Sequence, residues 1–201
     1  MATDALGMWE PFAVAAVEAL LADTDVLWWL SGGEALDVFL RRATRPHHDV
    51  DVSARRSDWP VLLAYLAERV QVKSARGGVL SDVTDGPLAD EIHGFWARET
   101  DGGPWRLQIN LEPVEGTEWV YRRDDRIRRP VDQVVWWQGT LPYVNPAVQL
   151  LFKAKDPRPH DDQDLAAVLP MLPDGERQWL ANAIRLTCPG SAWAAIVSDA
   201  R

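Results

Sequence analysis

Two aspartates separated by one residue, Asp49 and Asp51, are the side chains whose spacing most clearly indicates chemistry. Apolar and polar residues alternate over residues 49–54, which predicts a strand with both carboxylates on one face. Side chains two positions apart in a strand lie about 7 Å apart along it, and carboxylates that share a site repel each other. A divalent cation between them removes that repulsion, and Mg²⁺ prefers carboxylate and phosphate oxygens. The pair therefore predicts a magnesium site.

A serine and two glycines, Ser31, Gly32 and Gly33, end an apolar segment that lies N-terminal to the acidic pair. They follow an apolar segment at 26–30 that predicts a buried strand, and they precede helical spacing at 34–42. Taken alone, the glycines are equally consistent with a plain turn between a strand and a helix. At the start of a helix, however, their backbone N–H groups can approach a bound anion closely. A phosphate cradle followed by paired carboxylates indicates metal-assisted phosphoryl or nucleotidyl transfer.

The longer pattern G-G-E-A-L-D, followed by T-R-P-H-H-D-V-D, resembles the nucleotidyltransferases of the polymerase-beta-like superfamily. The resemblance is to the branch that contains the aminoglycoside 2''-adenylyltransferases, although Glu34 stands where those relatives usually have Trp. It implies that Asp49 and Asp51 are catalytic and hold one or two Mg²⁺ ions, and that the serine and the two glycines bind the triphosphate. It also implies that Arg45 contacts phosphate, for which the guanidinium fork is suited, while His47 fixes the loop by hydrogen bonding. The matching positions are Ser31, Gly32, Gly33, Asp37, Thr44, Arg45, His47, Asp49 and Asp51.

A third carboxylate is harder to place. Residues 105–111 alternate as a strand should, and family members usually carry their third acid on such a strand. The resemblance puts Asn110, which cannot ionise, at that position. Glu112 is the one carboxylate in phase with the polar face of the strand, so it is the predicted third catalytic residue. Asp90 or Glu91 from a neighbouring strand is an alternative, as is slow or absent transfer.

A basic and acidic segment at 153–164, K-A-K-D-P-R-P-H-D-D-Q-D, resembles a segment in the helical part of the same transferases. The resemblance implies that it closes over the nucleotide and that Lys153 neutralises phosphate charge. Cations near the C-terminal dipole of an ordinary helix would give a similar pattern. The matching positions are Lys153, Lys155, Arg158, Asp161 and Asp164.

Strand and helix patterns interleave through most of the chain and then give way to helices. Asn145 and Pro146 are a good N-cap and first helical residue, and helical spacing continues to about residue 186. We therefore expect an α/β (α+β) fold, with a mixed β-sheet nucleotidyltransferase core flanked by helices over 1–144. A C-terminal helical subdomain would follow over 145–201.

Composition and charge limit which binding partners and which cellular location we expect for this chain. The 201 residues carry a net charge of −9, which argues against a nucleic-acid binder with a broad basic face. One cysteine, Cys188, excludes an internal disulfide framework and a cysteine-based metal cluster. No apolar run reaches the roughly 18 residues of a membrane span, and the N-terminus lacks a basic signal region. These features predict a cytoplasmic protein that makes no membrane contact.

The function expected from these features is metal-dependent transfer of a nucleoside monophosphate to an acceptor hydroxyl, with ATP or another nucleoside triphosphate as the donor and AMP from ATP as the first expectation. By family analogy the acceptor could be a cationic, aminoglycoside-like small molecule, with a role in antibiotic resistance. One alternative is a catalytically weak nucleotide-binding protein, or a toxin–antitoxin component that acts through a protein or RNA partner. Another is a metal-dependent phosphohydrolase that uses His47 and His48 with the two aspartates. Adjacent histidines point apart in a strand, which disfavours joint ligation.

Overall fold

The structure, a computed structural model, describes residues 6–84 and 86–199 of the chain. This described part contains eight α-helices and eleven β-strands, numbered in chain order. They are α1 (Val14–Leu21), β1 (Trp28–Ser31), α2 (Gly32–Leu40), β2 (Asp51–Arg55), α3 (Trp59–Ala67), β3 (Gln71–Arg76), β4 (Val79–Asp82), β5 (Gly94–Arg98), β6 (Leu107–Glu112), β7 (Val114–Glu115), β8 (Glu118–Val120), β9 (Arg128–Pro130), α4 (Val131–Val134), β10 (Val135–Gln138), β11 (Leu141–Val144), α5 (Pro146–Lys153), α6 (Pro159–Val168), α7 (Asp174–Thr187) and α8 (Trp193–Asp199).

An eight-stranded mixed sheet forms the centre of the fold, in the order β10-β11-β1-β2-β6-β5-β3-β4. The β1–β11 and β2–β6 pairs are parallel and the other neighbours are antiparallel. A second, three-stranded antiparallel sheet contains β7, β8 and β9. The predicted mixed sheet flanked by helices is confirmed. The strands that carry the predicted site, β1, β2 and β6, are adjacent in its middle.

Helix α2 begins directly at the end of β1, with no loop between them. Gly32 has a φ of +73°, a left-handed backbone conformation that glycine adopts without a Cβ penalty and that lets the chain turn at once into the helix. The helix ends where Arg41 takes a φ of 56°, with its N–H bonded to carbonyls of the last turn. The predicted helix over 34–42 therefore starts two residues early, and both glycines belong to its first turn.

Strand β2 is shorter at its start than the predicted strand over 49–54. Ser31, the last residue of β1, lies opposite Asp51, and beyond this pair the chain of β1 has already turned into α2. Asp49 thus has no neighbouring strand to pair with on that side. It lies in the loop just before β2 and is exposed, whereas Asp51 is partly buried.

The C-terminal helices share a hydrophobic core with the sheet. Helix α5 contacts α2 as well as α6 and α7, and Trp29 of β1 belongs to the same buried cluster as Leu150 of α5. Asn145 caps α5, because its side-chain oxygen accepts a hydrogen bond from the Ala147 N–H at 2.8 Å. The division after residue 144 into two units stays a prediction from the sequence.

None of the helices in the described part of the chain combines the length and the apolar character needed to cross a membrane.

Candidate active site

One cleft on the face of β1, β2 and β6 contains every side chain predicted for the site. Its volume is about 740 Å³, and α5 and the segment that follows it form the opposite wall. The predicted residues in its lining are Asp49, Asp51, Glu112, Ser31, Gly32, Gly33, Arg45 and Lys153. The fold therefore brings together groups from widely separated parts of the sequence.

Strand register explains why these side chains converge. Ser31 of β1 lies opposite Asp51 of β2, and Asp51 lies opposite Gln108 of β6. Paired positions, and every second residue along a strand, face the same side of a sheet. Asn110 and Glu112 therefore follow Gln108 on the face that carries Asp51.

The two aspartates create an electrostatic conflict that a cation would resolve. Burial raises the pKa of Asp51 to about 7, with a further contribution from the negative charge of Asp49 and an opposing one from a hydrogen bond with Asn110. A divalent cation beside both carboxylates would favour their ionised forms. Within the described residues, no three His, Cys, Asp or Glu side chains gather as a metal site. The pair fits Mg²⁺, which commonly takes one or two carboxylates and completes its shell with phosphate oxygens and water.

Gly32 and Gly33 sit where any side chain would collide with the site. A Cβ on Gly32 would overlap the Asp51 carboxylate, and a Cβ on Gly33 would overlap the His47 ring. The N–H of Gly32 donates to Gln149 Oε1 of α5 at 2.9 Å. The helix start thus lies directly against Asp51, and both glycines line the cleft.

Ser31 is buried at the end of β1, and its side chain makes no capping hydrogen bond to α2. Its hydroxyl oxygen accepts a hydrogen bond from the Ser53 hydroxyl at 3.1 Å. That contact does not use the Ser31 hydroxyl as a donor, and both serines line the cleft.

Asp37 organises the loop that leads to the acidic pair. Its Oδ1 accepts hydrogen bonds from the N–H and the hydroxyl of Thr44, at 3.0 and 2.6 Å. Its Oδ2 lies 2.7 Å from His47 Nε2. These contacts agree with the loop-fixing role expected of His47. They engage the His47 ring with Asp37, which gives no support to a phosphohydrolase that uses both histidines.

The two cations predicted to contact phosphate are joined through buried acids. Arg45 Nε and Nη2 each lie 3.2 Å from the Asp164 carboxylate, and Lys153 Nζ lies 2.6 Å from Asp161 and 3.0 Å from Asp164. Burial alone would raise the pKa of Asp161, but hydrogen bonds from Arg158 and Lys153 outweigh it and hold that pKa below its usual range. Sequence reasoning noted both acids only as family matches. Their spacing, three positions apart on α6, is the signal that places both toward one partner.

Glu112 lies at the far end of the cleft from the acidic pair. It follows Gln108, the register partner of Asp51, by four residues, which is about 13 Å along β6. It is 3% exposed, and it accepts a hydrogen bond from Trp119 Nε1 at 3.0 Å. Burial raises the pKa of Glu112 to about 7, against the opposing charge of Arg122. The chain brings Glu112 to the cleft but not to Asp49 and Asp51.

Asn110 is the polar side chain of β6 that contacts the acidic pair, through a hydrogen bond from Nδ2 to Asp51 Oδ1 of 3.1 Å. The alternative third acids do not approach it. Asp90 and Glu91 lie outside the cleft lining, and Glu91 pairs with Arg76 at 2.9 Å. An amide therefore occupies the position next to Asp51 on β6.

Known proteins resemble this chain in sequence and in fold. Residues 13–127 match the family described as aminoglycoside-2''-adenylyltransferase. A comparison with curated protein sequences gave no significant match.

Solved structures show a related fold. The lincosamide antibiotic adenylyltransferase LnuA, solved with lincomycin bound, is 15% identical with a TM-score of 0.53, and the match covers 77% of this chain and 93% of LnuA. ANT(2'')-Ia in complex with adenylyl-2''-tobramycin is 15% identical with a TM-score of 0.53, over 85% and 94% of the two chains. The solution structure of ANT(2'')-Ia is 14% identical with a TM-score of 0.53, over 88% and 91%. At this identity the likeness is one of fold.

Proposed function

The chain belongs to the aminoglycoside-2''-adenylyltransferase family and is a nucleotidyltransferase, and we propose that it transfers AMP from ATP to a hydroxyl group of a small acceptor. The observation that carries this proposal is the placement of Asp49 and Asp51 beside the glycine start of α2 in one cleft. The family name makes an antibiotic one candidate acceptor. ATP as the donor places the proposed reaction in the cytoplasm.

The nucleotide phosphates would lie between the acidic pair and the start of α2. Asp49 and Asp51 would hold one or two Mg²⁺ ions, which when bound would neutralise phosphate charge. The first N–H groups of α2 point out of the helix and favour an anion. Gln149 now accepts the hydrogen bond from Gly32, so we expect a phosphate oxygen to replace Gln149 there.

Three cationic side chains would face the triphosphate: two are held by buried acids and one is exposed. Lys153 and Arg45 are fixed by the buried acids of α6, and the positive charge of Lys153 opposes the rise in the Asp51 pKa. They would set a constant positive potential beside the phosphates. The side chain of Arg158 is 66% exposed and lines the cleft. Its Nε donates to the buried Asp161 carboxylate at 3.0 Å, so its terminal Nη groups are the ones that would donate to a phosphate.

The transfer itself would be an in-line displacement. The acceptor oxygen would attack the α-phosphorus and lose its proton to solvent water, the bond to the bridging oxygen would break, and pyrophosphate would leave. Asn110 cannot take the hydroxyl proton, and Glu112 lies about 13 Å along the strand from the position opposite Asp51. We therefore expect slower transfer than a site with three adjacent carboxylates would give, and we assign Glu112 to the acceptor end of the cleft.

The test is adenylyl transfer with ATP labelled at the α-phosphate, Mg²⁺ and a panel of hydroxyl acceptors that includes tobramycin and lincomycin. We expect labelled AMP on at least one acceptor, with release of pyrophosphate. Asp51→Asn should abolish the product, whereas Asp132→Asn, an exposed change on α4 outside the cleft, should leave it unchanged. Failure of the chain to bind an ATP analogue with Mg²⁺ in calorimetry would disprove the proposal.

A second candidate is a catalytically weak nucleotide-binding protein that acts through a protein or RNA partner. The hydrogen bond from Asn110 to Asp51 favours it, because an amide stands next to the pair instead of an acid. Binding of the ATP analogue together with no transfer to any acceptor would favour this reading. Transfer that depends on Asp51 would exclude it.

A further inference from the structure

The two sides of the cleft would receive different ligands in an in-line transfer. The attacking and leaving oxygens lie on opposite sides of the α-phosphorus. The sheet places β1, β2 and β6 side by side, with Asp51 on the middle strand and Asp49 in the loop just before it. Pyrophosphate would leave over β1 and the start of α2, where the backbone donors lie. The acceptor would then approach over β6, on the side of Gln108 and Asn110.

The cleft meets a second cavity over β6. This neighbouring cavity has a volume of about 370 Å³ and extends toward β5 and the turn between β3 and β4. Gln108, Asn110 and Arg122 line both spaces. A molecule with its hydroxyl at Asp51 would therefore have room beyond Asn110, and Arg122 is the charged side chain that lines both spaces.

Arg122 lies in this region with a guanidinium N–H group that has no hydrogen-bond partner among the described residues. Its guanidinium lies 5.3 Å from the centre of the Phe152 ring, and its side chain is 22% exposed. Its Nε is buried and has no hydrogen-bond partner among the described residues. The nearest carboxylate oxygen is Glu112 Oε1 at 4.0 Å, beyond hydrogen-bonding distance. A ligand oxygen would complete this guanidinium.

Few acidic side chains around Arg122 are free to bind a positively charged acceptor such as an aminoglycoside. Glu112 is buried, bonded to Trp119 and faced by Arg122. At the wall of the second cavity, Glu91 is already paired with Arg76. Arg123 adds a second guanidinium to the cleft, and its hydrogen bonds go to the Phe152 carbonyl and the Tyr121 hydroxyl. Positive charge therefore exceeds negative charge where the acceptor would lie.

We propose that the acceptor carries an anionic group, a carboxylate or a phosphate, which Arg122 binds while the acceptor hydroxyl faces the acidic pair. The inference rests on the proposed adenylyl transfer, because that reaction assigns the acceptor to the β6 side. It differs from the cationic acceptor that the sequence suggested. Although the whole chain has a net charge of −9, arginines outnumber free acids in this part of the cleft.

Three sugars with the same ring and different charge test the proposal: glucose 6-phosphate, glucose and glucosamine. The 201-residue chain is first loaded with Mg²⁺ and α,β-methylene-ATP, so that the phosphate cradle is filled. Ligand-observed NMR titrations then measure the affinity of each sugar. We expect glucose 6-phosphate to bind about tenfold more tightly than the other two, since a charge-assisted hydrogen bond from arginine contributes about that factor.

Variants assign the preference to one side chain. Arg122→Gln should remove the tenfold preference, and Arg122→Lys should keep part of it by retaining the charge. Arg128→Gln, an exposed change on β9 at an arginine paired with Glu115, should leave it intact. Melting temperatures identify any variant that does not fold, and the wild-type preference is informative without the variants.

The outcomes separate the two proposals. If the ATP analogue does not bind, the proposed function fails and the acceptor inference fails with it. If the analogue binds but glucosamine or glucose binds as tightly as glucose 6-phosphate, or none of the three binds, the acceptor inference alone is overturned. Retention of the full preference in Arg122→Gln overturns it as well.

Discussion

The side-chain amide of Asn110 donates a hydrogen bond to the Asp51 carboxylate, with 3.1 Å between Nδ2 and Oδ1. Both residues face the cleft, because β2 and β6 are parallel neighbours with Asp51 opposite Gln108. The bond orients one oxygen of a carboxylate that is otherwise destabilised by burial and by Asp49. Because an asparagine amide cannot ionise, the position beside Asp51 on β6 supplies no negative charge.

Asn110→Asp should convert the pair into a three-carboxylate site. Without metal, the new carboxylate would replace a hydrogen-bond donor by a like charge beside Asp51, and we expect a loss of about 1–3 kcal/mol in the free energy of unfolding. Mg²⁺ or Mn²⁺ should recover that loss, because a cation neutralises the added charge. Thermal unfolding in a chelator and in excess metal measures both effects.

The matched control for Asn110→Asp is Asn182→Asp, the same change of amide to acid at an exposed position on α7. It should shift the melting temperature little and show no additional response to metal. Equal metal responses in the two variants would mean that Asn110 does not adjoin a cation site.

Gly32→Ala should disrupt the junction between β1 and α2. Gly139 is a suitable control, because its φ of +63° resembles the +73° of Gly32 while a Cβ there would meet nothing within 4 Å. Alanine at either site carries the strain of a left-handed backbone, about 1 kcal/mol. Only the Gly32 variant also forces a methyl group against Asp51. We expect a larger loss of stability and at least about tenfold weaker binding of an ATP analogue than in Gly139→Ala. Equal losses of stability and of ATP-analogue binding in the two variants would show that the close approach of Gly32 to Asp51 is not important.

Local patterns in the sequence were sufficient to predict a mixed sheet flanked by helices and the polar face of β6. Strand alternation put Gln108, Asn110 and Glu112 on one face, and the structure has all three in the cleft lining. Strand ends were not predictable in the same way. Asp49 falls outside β2 because its neighbour, β1, has already turned into α2, which depends on pairing between strands.

Contacts between distant parts of the chain were beyond sequence patterns. Arg45 meets Asp164, 119 positions away, through packing of α6 against the loop after α2. The burial of Glu112 depends on Trp119 of the second sheet. Periodicity reports which way a side chain points, but it does not report what covers that side chain or how far along the strand the next acid lies.

Glu112→Gln should change the dependence of stability on pH. The pKa of Glu112 rises from 4.5 to about 7 on folding, so the folded state favours the protonated carboxyl. The stabilisation from protonated Glu112 is complete below pH 4.5, and about 3 kcal/mol is lost as the pH rises to about 7. Glutamine cannot ionise and still accepts a hydrogen bond from Trp119, so relative to wild type the variant should gain stability between pH 4.5 and about 7.

Urea unfolding across this pH interval measures the difference in stability between Glu112→Gln and wild type. The control Glu118→Gln, an exposed change on β8, should show no such pH-dependent difference. A constant difference between Glu112→Gln and wild type at all pH values would contradict the assignment.

Asp164→Asn should weaken the connection between the loop after α2 and the C-terminal helices. Asp164 is 2% exposed, and its carboxylate accepts from both Arg45 and Lys153. Removing the charge leaves a buried ammonium with Asp161 as its remaining acid, and we expect a loss of about 3 kcal/mol in the free energy of unfolding. Asp156→Asn, an exposed change in the same segment, should alter stability by less than about 0.5 kcal/mol. Chemical denaturation of both variants measures the contrast, and the loss in Asp164→Asn should persist at high salt because buried pairs are screened weakly. Comparable losses in the two variants would show that the buried acids do not hold the two cations in place.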